Sequence, residues 1–125
     1  MAEIKVKEIK TIPEGRQEAT IVSVIRRSPD TDKTAKFDYT DYNLRLDNVD
    51  GQPTIKYGVP TDISVDQNGE PRTKHAKLLK VLGIKLEGSI NTDKVIGMRV
   101  SCLIKNEENE KGSFAGVVDG TVKKI

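Results

Sequence analysis

The segment from Phe37 to Pro60, FDYTDYNLRLDNVDGQPTIKYGVP, constrains the fold of this chain more than any other stretch. It reads as one long β-hairpin. Asp50-Gly51 is the turn signal, because both central residues of a type I′ turn need φ > 0, which Asp and Gly tolerate best. With those two as the loop, Leu46 faces Ile55, Leu44 faces Tyr57 and Tyr42 faces Val59, so the apolar pairs share one side. A one-residue slip would carry all of them to the wrong face. The opposite side then sets Arg45 against Lys56, Asn43 against Gly58 and Asp47 against Thr54. Like charges placed directly opposite cost up to ~1 kcal/mol. A face that carries Arg45 beside Lys56, with Phe37 and Tyr39 further along the same strand, suits a polyanion. The alternative is a pair of solvated surface charges, which are common and weak.

Upstream, Arg16 to Arg27 (RQEATIVSVIRR) is the first strong strand. Its apolar residues Ala19, Ile21, Val22, Val24 and Ile25 do not alternate cleanly, and their parity changes near Val22-Ser23. Two readings fit: a bulge that bends the strand so that it serves two sheets, or a fully buried strand with apolar residues on both faces. Before it, Ile4-Lys5-Val6-Lys7 alternates apolar and basic. This is a candidate extra strand within a leader over residues 1–12, which Pro13-Glu14-Gly15 closes. After it, residues 28–36 form a polar loop of mixed charge that includes Lys33 and Lys36.

Downstream of the hairpin, Thr61 to Arg72 is irregular, and Asp66 to Pro71 carries turn chemistry. Ser64 and His75 stand where a calcium loop would need its first carboxylate and its terminal Glu, which argues against a metal there. Thr73 to Leu82 (TKHAKLLKVL) is the one helical segment. Ala76, Leu79 and Leu82 fit a 3.6-residue period, Leu78 and Val81 widen the stripe, and Lys74, Lys77 and Lys80 fall on the wet side. Thr73 can cap its start and Gly83 can take the left-handed position after its end. His75 reads as an exposed, non-catalytic histidine. Met98 to Lys105 alternates as a strand, with Val100, Cys102 and Ile104 on one face, so Cys102 reads as a small core residue. Asn106 to Gly112 (NEENEKG) reads as an acidic loop. Ser113 to Ile125 reads as a last strand, in which Gly116 and Gly120 mark curvature.

The pattern is strand, strand, strand, helix, strand, strand over residues 1–125, one domain by length. That is the order of an all-β OB-fold, a five-stranded Greek-key barrel with one α-helix between strands 3 and 4. Another small barrel or an α+β sandwich could be built from the same elements. Lys plus Arg number 21 against 19 Asp plus Glu, so any polyanion site must come from a local patch. One cysteine rules out an internal disulfide framework and fits a reducing compartment. With no apolar signal region and no membrane-length apolar run, the expectation is a soluble, intracellular, cytoplasmic protein.

Four stretches, IPEGRQEATIVSVI, YNLRL, HAKLLKVLGI and VIGMRVSCLIK, resemble the small single-stranded-DNA-binding OB proteins of phages and archaea. The resemblance runs from about Ile12 onward and is one of hydrophobic positions and glycines. It implies an OB barrel that coats or escorts single strands in replication, repair or recombination. On that footing the expected partner is single-stranded DNA or RNA, DNA favoured, bound on the outer face of the strand 2–3 hairpin. Arg45 and Lys56 would contact phosphates, and Arg26, Arg27, Lys33 and Lys36 would extend the track. Phe37 and Tyr39 would offer stacking faces, and Asn43 a hydrogen bond to a base or sugar. The competing expectation is a protein-interaction adaptor on the same fold, docking partners at an edge strand or at the acidic loop. An enzyme is not expected: there is no phosphate-binding loop, nucleophile elbow or metal spacing, and no cofactor is implied.

Overall fold

The computed structural model describes Glu3, residues 12–30, Lys33, residues 36–109 and residues 112–125. The candidate strand at Ile4–Lys7 lies outside these residues. The elements are β1 (Gly15–Arg27), β2 (Tyr39–Leu46), β3 (Thr54–Pro60), α1 (Lys74–Val81), a 3-10 turn (Thr92–Val95), β4 (Arg99–Asn109), β5 (Gly112–Val117) and β6 (Lys123–Lys124). The strands form one antiparallel sheet in the order β3-β2-β1-β4-β5, with β6 also on β4. The fold is therefore mostly β, with one α-helix between β3 and β4.

β1 sits at the centre because it changes partners along its length. Gly15 to Thr20 pairs with β4, and Ala19 to Arg27 pairs with β2, with a register shift between Ile21 and Ser23. The bulge at Val22 decides between the two readings of this strand. At the bulge the Ile21 N–H donates to the Met98 carbonyl at 2.9 Å and its carbonyl accepts from Gly97 N–H at 2.7 Å, so both backbone groups of Ile21 are paired. The apolar parity change is the side-chain signature of that extra residue.

The β2–β3 hairpin forms, but its register differs from expectation. Tyr42 pairs with Tyr57, Leu44 with Ile55, Asn43 with Lys56, Asp41 with Gly58 and Arg45 with Thr54. Arg45 does not face Lys56. The slip is of even parity, so Tyr42, Leu44, Leu46, Ile55, Tyr57 and Val59 still share the buried side. The cause lies in the loop. Asp47 leaves the ladder: its N–H donates to the Glu18 carbonyl at 3.1 Å and its carboxylate accepts from the Thr20 hydroxyl at 2.7 Å. Leu46 N–H donates to the Pro53 carbonyl at 2.9 Å, and proline has no N–H to return, so pairing ends there. Gly51 has φ 78° while Asp50 does not have positive φ, which is the pattern of a type II rather than a type I′ turn. Val49 folds back to pack against the core.

α1 is built as its ends promise. The Thr73 hydroxyl accepts from Ala76 N–H at 3.3 Å. Gly83 has φ 81°, and its N–H donates to the Lys80 carbonyl while Ile84 N–H donates to that of Leu79, the two bonds of a Schellman motif. His75 departs from expectation: it is 1% exposed. It sits on the same helical stripe as Leu78, Leu79 and Leu82, and its ring finds polar partners inside the molecule.

Two expectations near the C-terminus are also revised. Asn106 to Asn109 belong to β4 and Gly112 to β5, so most of the acidic segment is hairpin rather than loop. A strand needs only backbone pairing, which charged residues do not prevent on an exposed ribbon. The last strand is split. Between the pairs Ile104–Val117 and Val100–Lys124, four steps of β4 are matched by seven of its partner. The extra residues form a turn in which Gly120 takes φ 77° and the Thr121 hydroxyl caps the Val118 carbonyl and accepts from Leu103 N–H.

The core lies between the inner side of the sheet and α1, with Ala19, Ile21, Leu44, Leu79, Leu82, Val95, Val100, Cys102 and Ile104 all essentially inaccessible. Each fully buried aliphatic side chain contributes about 1.5–3 kcal/mol relative to exposure. Cys102 is one of these small core residues. No helix among the described residues is long and apolar enough to cross a membrane.

Candidate nucleic-acid interface

Alternation along β1, β2 and β3 sets one row of side chains outward on each strand. Past the bulge, β1 presents Ser23, Ile25 and Arg27. β2 presents Tyr39, Asp41, Asn43 and Arg45, and β3 presents Thr54, Lys56 and Gly58. The centre of this face is Asp41, which is 2% exposed although it points away from the core.

Three neighbours account for that burial. Arg27 reaches across from β1 and grips the Asp41 carboxylate through both its Nε and a terminal nitrogen, the latter at 3.1 Å. From β3, the Lys56 ammonium lies 3.8 Å from Asp41 Oδ2. Directly opposite stands Gly58, where an added Cβ would lie 2.8 Å from Asp41 Oδ1. A buried carboxylate is tolerated only when paired and hydrogen-bonded, and the two cations fulfil that need. In return Asp41 holds both cationic heads in place over the sheet.

The expected site residues fall around this centre in four groups. Arg27 and Lys56 meet the Asp41 carboxylate, and Tyr39 and Asn43 flank it along β2: Asn43 pairs with Lys56 in the ladder and donates to the Ser23 hydroxyl at 2.8 Å. Phe37, 68% exposed, stands edge-on to Tyr39 with ring centroids 6.4 Å apart. Arg45 belongs to a second cluster: it donates to Asp47 at 3.0 Å, which also takes Thr20 and lies 3.9 Å from Arg99, itself bonded to Glu18. These donors, Thr20 foremost, hold the Asp47 carboxyl below the usual carboxylate range. Arg26, next to Arg27 in the strand, takes the opposite side. It forms a two-pronged pair with Asp38 at 3.0 and 2.6 Å. That pairing, with a Thr61 hydrogen bond, pulls the Asp38 carboxyl down to about 2. Lys33 and Lys36 are exposed in the β1–β2 loop and have no carboxylate partner among the described residues.

Asp41 and Gly58 are the members of this face that the sequence reading did not single out. The signal was present in the hairpin itself: a glycine inside a strand marks close approach, and Asp41 shares parity with Tyr39 and Asn43. Elsewhere, the Tyr42 hydroxyl meets His75 Nε2 inside the core, and His75 Nδ1 lies 2.8 Å from the Thr61 carbonyl. No group of three or more His, Cys, Asp or Glu among the described residues could hold a metal ion.

Fold and face together define a mostly-β protein whose outer hairpin surface combines pre-set cations with the exposed Phe37 and the half-buried Tyr39. Neither family models nor curated proteins match this chain.

Proposed function

We propose that this protein binds single-stranded nucleic acid, DNA favoured, on the outer face of β1–β3 of an OB-type Greek-key barrel. The fold half of the reading is supported by the strand order β3-β2-β1-β4-β5, which is that of a five-stranded barrel opened between β3 and β5. Those end strands approach each other, and α1 enters after β3 and packs against it. The functional half rests on one observation: Arg27 and Lys56 share the buried Asp41 beside the exposed Phe37 and the half-buried Tyr39. A carboxylate between two cations leaves a net positive centre whose groups need no reordering to meet a phosphate. The rings supply the sequence-tolerant stacking that single strands use. DNA rather than RNA is favoured by the sequence resemblance.

The test is titration of a labelled oligothymidylate at several salt concentrations. Affinity should fall with a log–log slope of about −0.7 per phosphate neutralised. Absence of binding at low salt overturns the proposal. Lys36→Ala is the clean variant, because its side chain is exposed and has no carboxylate partner among the described residues; Lys56→Ala removes the more distant cation from Asp41 and is read beside an unfolding measurement. Arg27→Ala is not, since it strips a buried carboxylate of its main partner, a change that costs about 3–5 kcal/mol.

A second reading, a protein-interaction adaptor, is favoured by the internal pairing of Arg26, Arg27 and Arg45 with Asp38, Asp41 and Asp47, which compensates much of the charge of the face. Retention of partners from an extract after nuclease treatment, together with no oligonucleotide binding, would select it.

A further inference from the structure

Away from the hairpin face, a pocket of about 260 Å³ opens between α1 and the turn that joins β5 to β6. Its walls are aliphatic: Leu78 and Val81 from the helix, Val122 from the far side. Val81 is 46% exposed, an apolar residue that the helix turns into this opening rather than into the core. At one end the Tyr57 hydroxyl donates to Asp119 at 3.1 Å, and Lys74 donates to the same carboxylate at 2.7 Å. Asp119 is thereby neutralised; Lys74 above all holds it below the usual range, while burial and Asp119 push the Tyr57 phenol up to about 12. The remaining charge on the rim is positive. Lys77 lines the pocket and has no carboxylate partner among the described residues. Lys124 extends its ammonium toward Gly83 at the end of α1, whereas Lys80, one turn beyond Lys77, is already paired with Glu70 at 3.0 Å.

We infer that this groove is a docking site for an acidic peptide segment that carries one apolar anchor side chain. The aliphatic pocket takes the anchor, and Lys77 and Lys124 meet the flanking carboxylates. Charge complementarity selects an acidic partner, and the shape of the floor selects a peptide over a nucleic acid. Tyr57 is the one ring in the wall, is 8% exposed and has its hydroxyl committed to Asp119, so no open aromatic face awaits a base. A single socket beside lysines also fits one side chain among carboxylates better than a uniformly charged phosphate chain.

The probe is a fluorescein-labelled peptide of alternating glutamate and serine with one central leucine, titrated into the full chain by anisotropy. Binding is expected. It should weaken at least about tenfold, one step of 1.4 kcal/mol, when the leucine becomes serine, when the glutamates become glutamines, and in the Lys77→Glu variant. Gln52→Glu, an exposed position in the β2–β3 turn that belongs to neither site, should leave it unchanged. Amide shifts in the unmodified protein should cluster at Lys77, Val81, Gly120 and Val122, a readout that needs no variant to fold. The inference is overturned by no binding at low salt, by equal affinity for the serine peptide, by shifts on the hairpin face instead, or by displacement with oligothymidylate of equal charge.

Discussion

Asp41 and Gly58 form the tightest constraint on the outer face of the hairpin. Gly58 has no positive φ, so its role is one of space: a methyl group there meets Asp41 Oδ1 at 2.8 Å. Gly58→Ala should lower stability by about 1–3 kcal/mol through overpacking, read as the free energy of urea unfolding. It should also weaken oligonucleotide binding, because displaced Asp41 takes Arg27 and Lys56 with it. Inside the core, His75 sets a pH dependence. Its Nδ1–H donates to Thr61 and its Nε2 accepts from the Tyr42 hydroxyl, so the neutral ring is the fitted form, and burial lowers its pKa below the ordinary 6.5. The unfolded chain then binds a proton at a higher pH than the folded one. Stability should be full above about pH 6.5 and decline as pH falls from there toward the depressed folded value. Unfolding free energies measured between about pH 7 and 5 should show this slope, and His75→Gln should flatten it; a slope that survives the substitution assigns it to another group.

At the scale of elements, β1 and α1 are each held by local chemistry that has a global effect. The Val22 bulge lets one strand hold β4 at its start and β2 at its end, and so bends the sheet around the core. α1 spans only Lys74–Val81, too short to persist alone, and depends on its caps and buried stripe. Thr73→Ala should cost about 1 kcal/mol, and Gly83→Ala about 1–2 kcal/mol because it forces a side chain into the left-handed region. Both would be read as lower denaturation midpoints at unchanged denaturant slope. A change in that slope would mean that the helix unfolds separately from the sheet.

For the molecule as a whole, near-balanced charge leaves affinity to local arrangement. If the hairpin face carries phosphates, the double variant Lys36→Ala, Lys56→Ala should reduce the steepness of the salt dependence by about 0.7 for each contact removed. An unchanged slope would place the phosphates elsewhere on the protein. The α1 groove lies on a separate surface, so a single strand and an acidic peptide need not exclude each other.

What the sequence by itself determined is what periodicity and end chemistry encode: the element order, the parity of the hairpin, the parity change in β1 that left a bend and a fully buried strand both open, both caps of α1 and the burial of Tyr42, Tyr57 and Cys102. These depend on neighbours along the chain or on a two-residue repeat that any even slip preserves. Tertiary structure decided the rest. Asp47 was drawn out of the hairpin by Thr20 and Arg99, residues on other strands, and that set the true register. His75 was buried because Tyr42 and Thr61 offered its nitrogens partners that no local pattern announces. Asp41 became the centre of a face because Arg27 and Lys56 arrive from strands on either side of it. A charge's partner in a sheet is chosen across the sheet, and that distance is not written in the order of the residues.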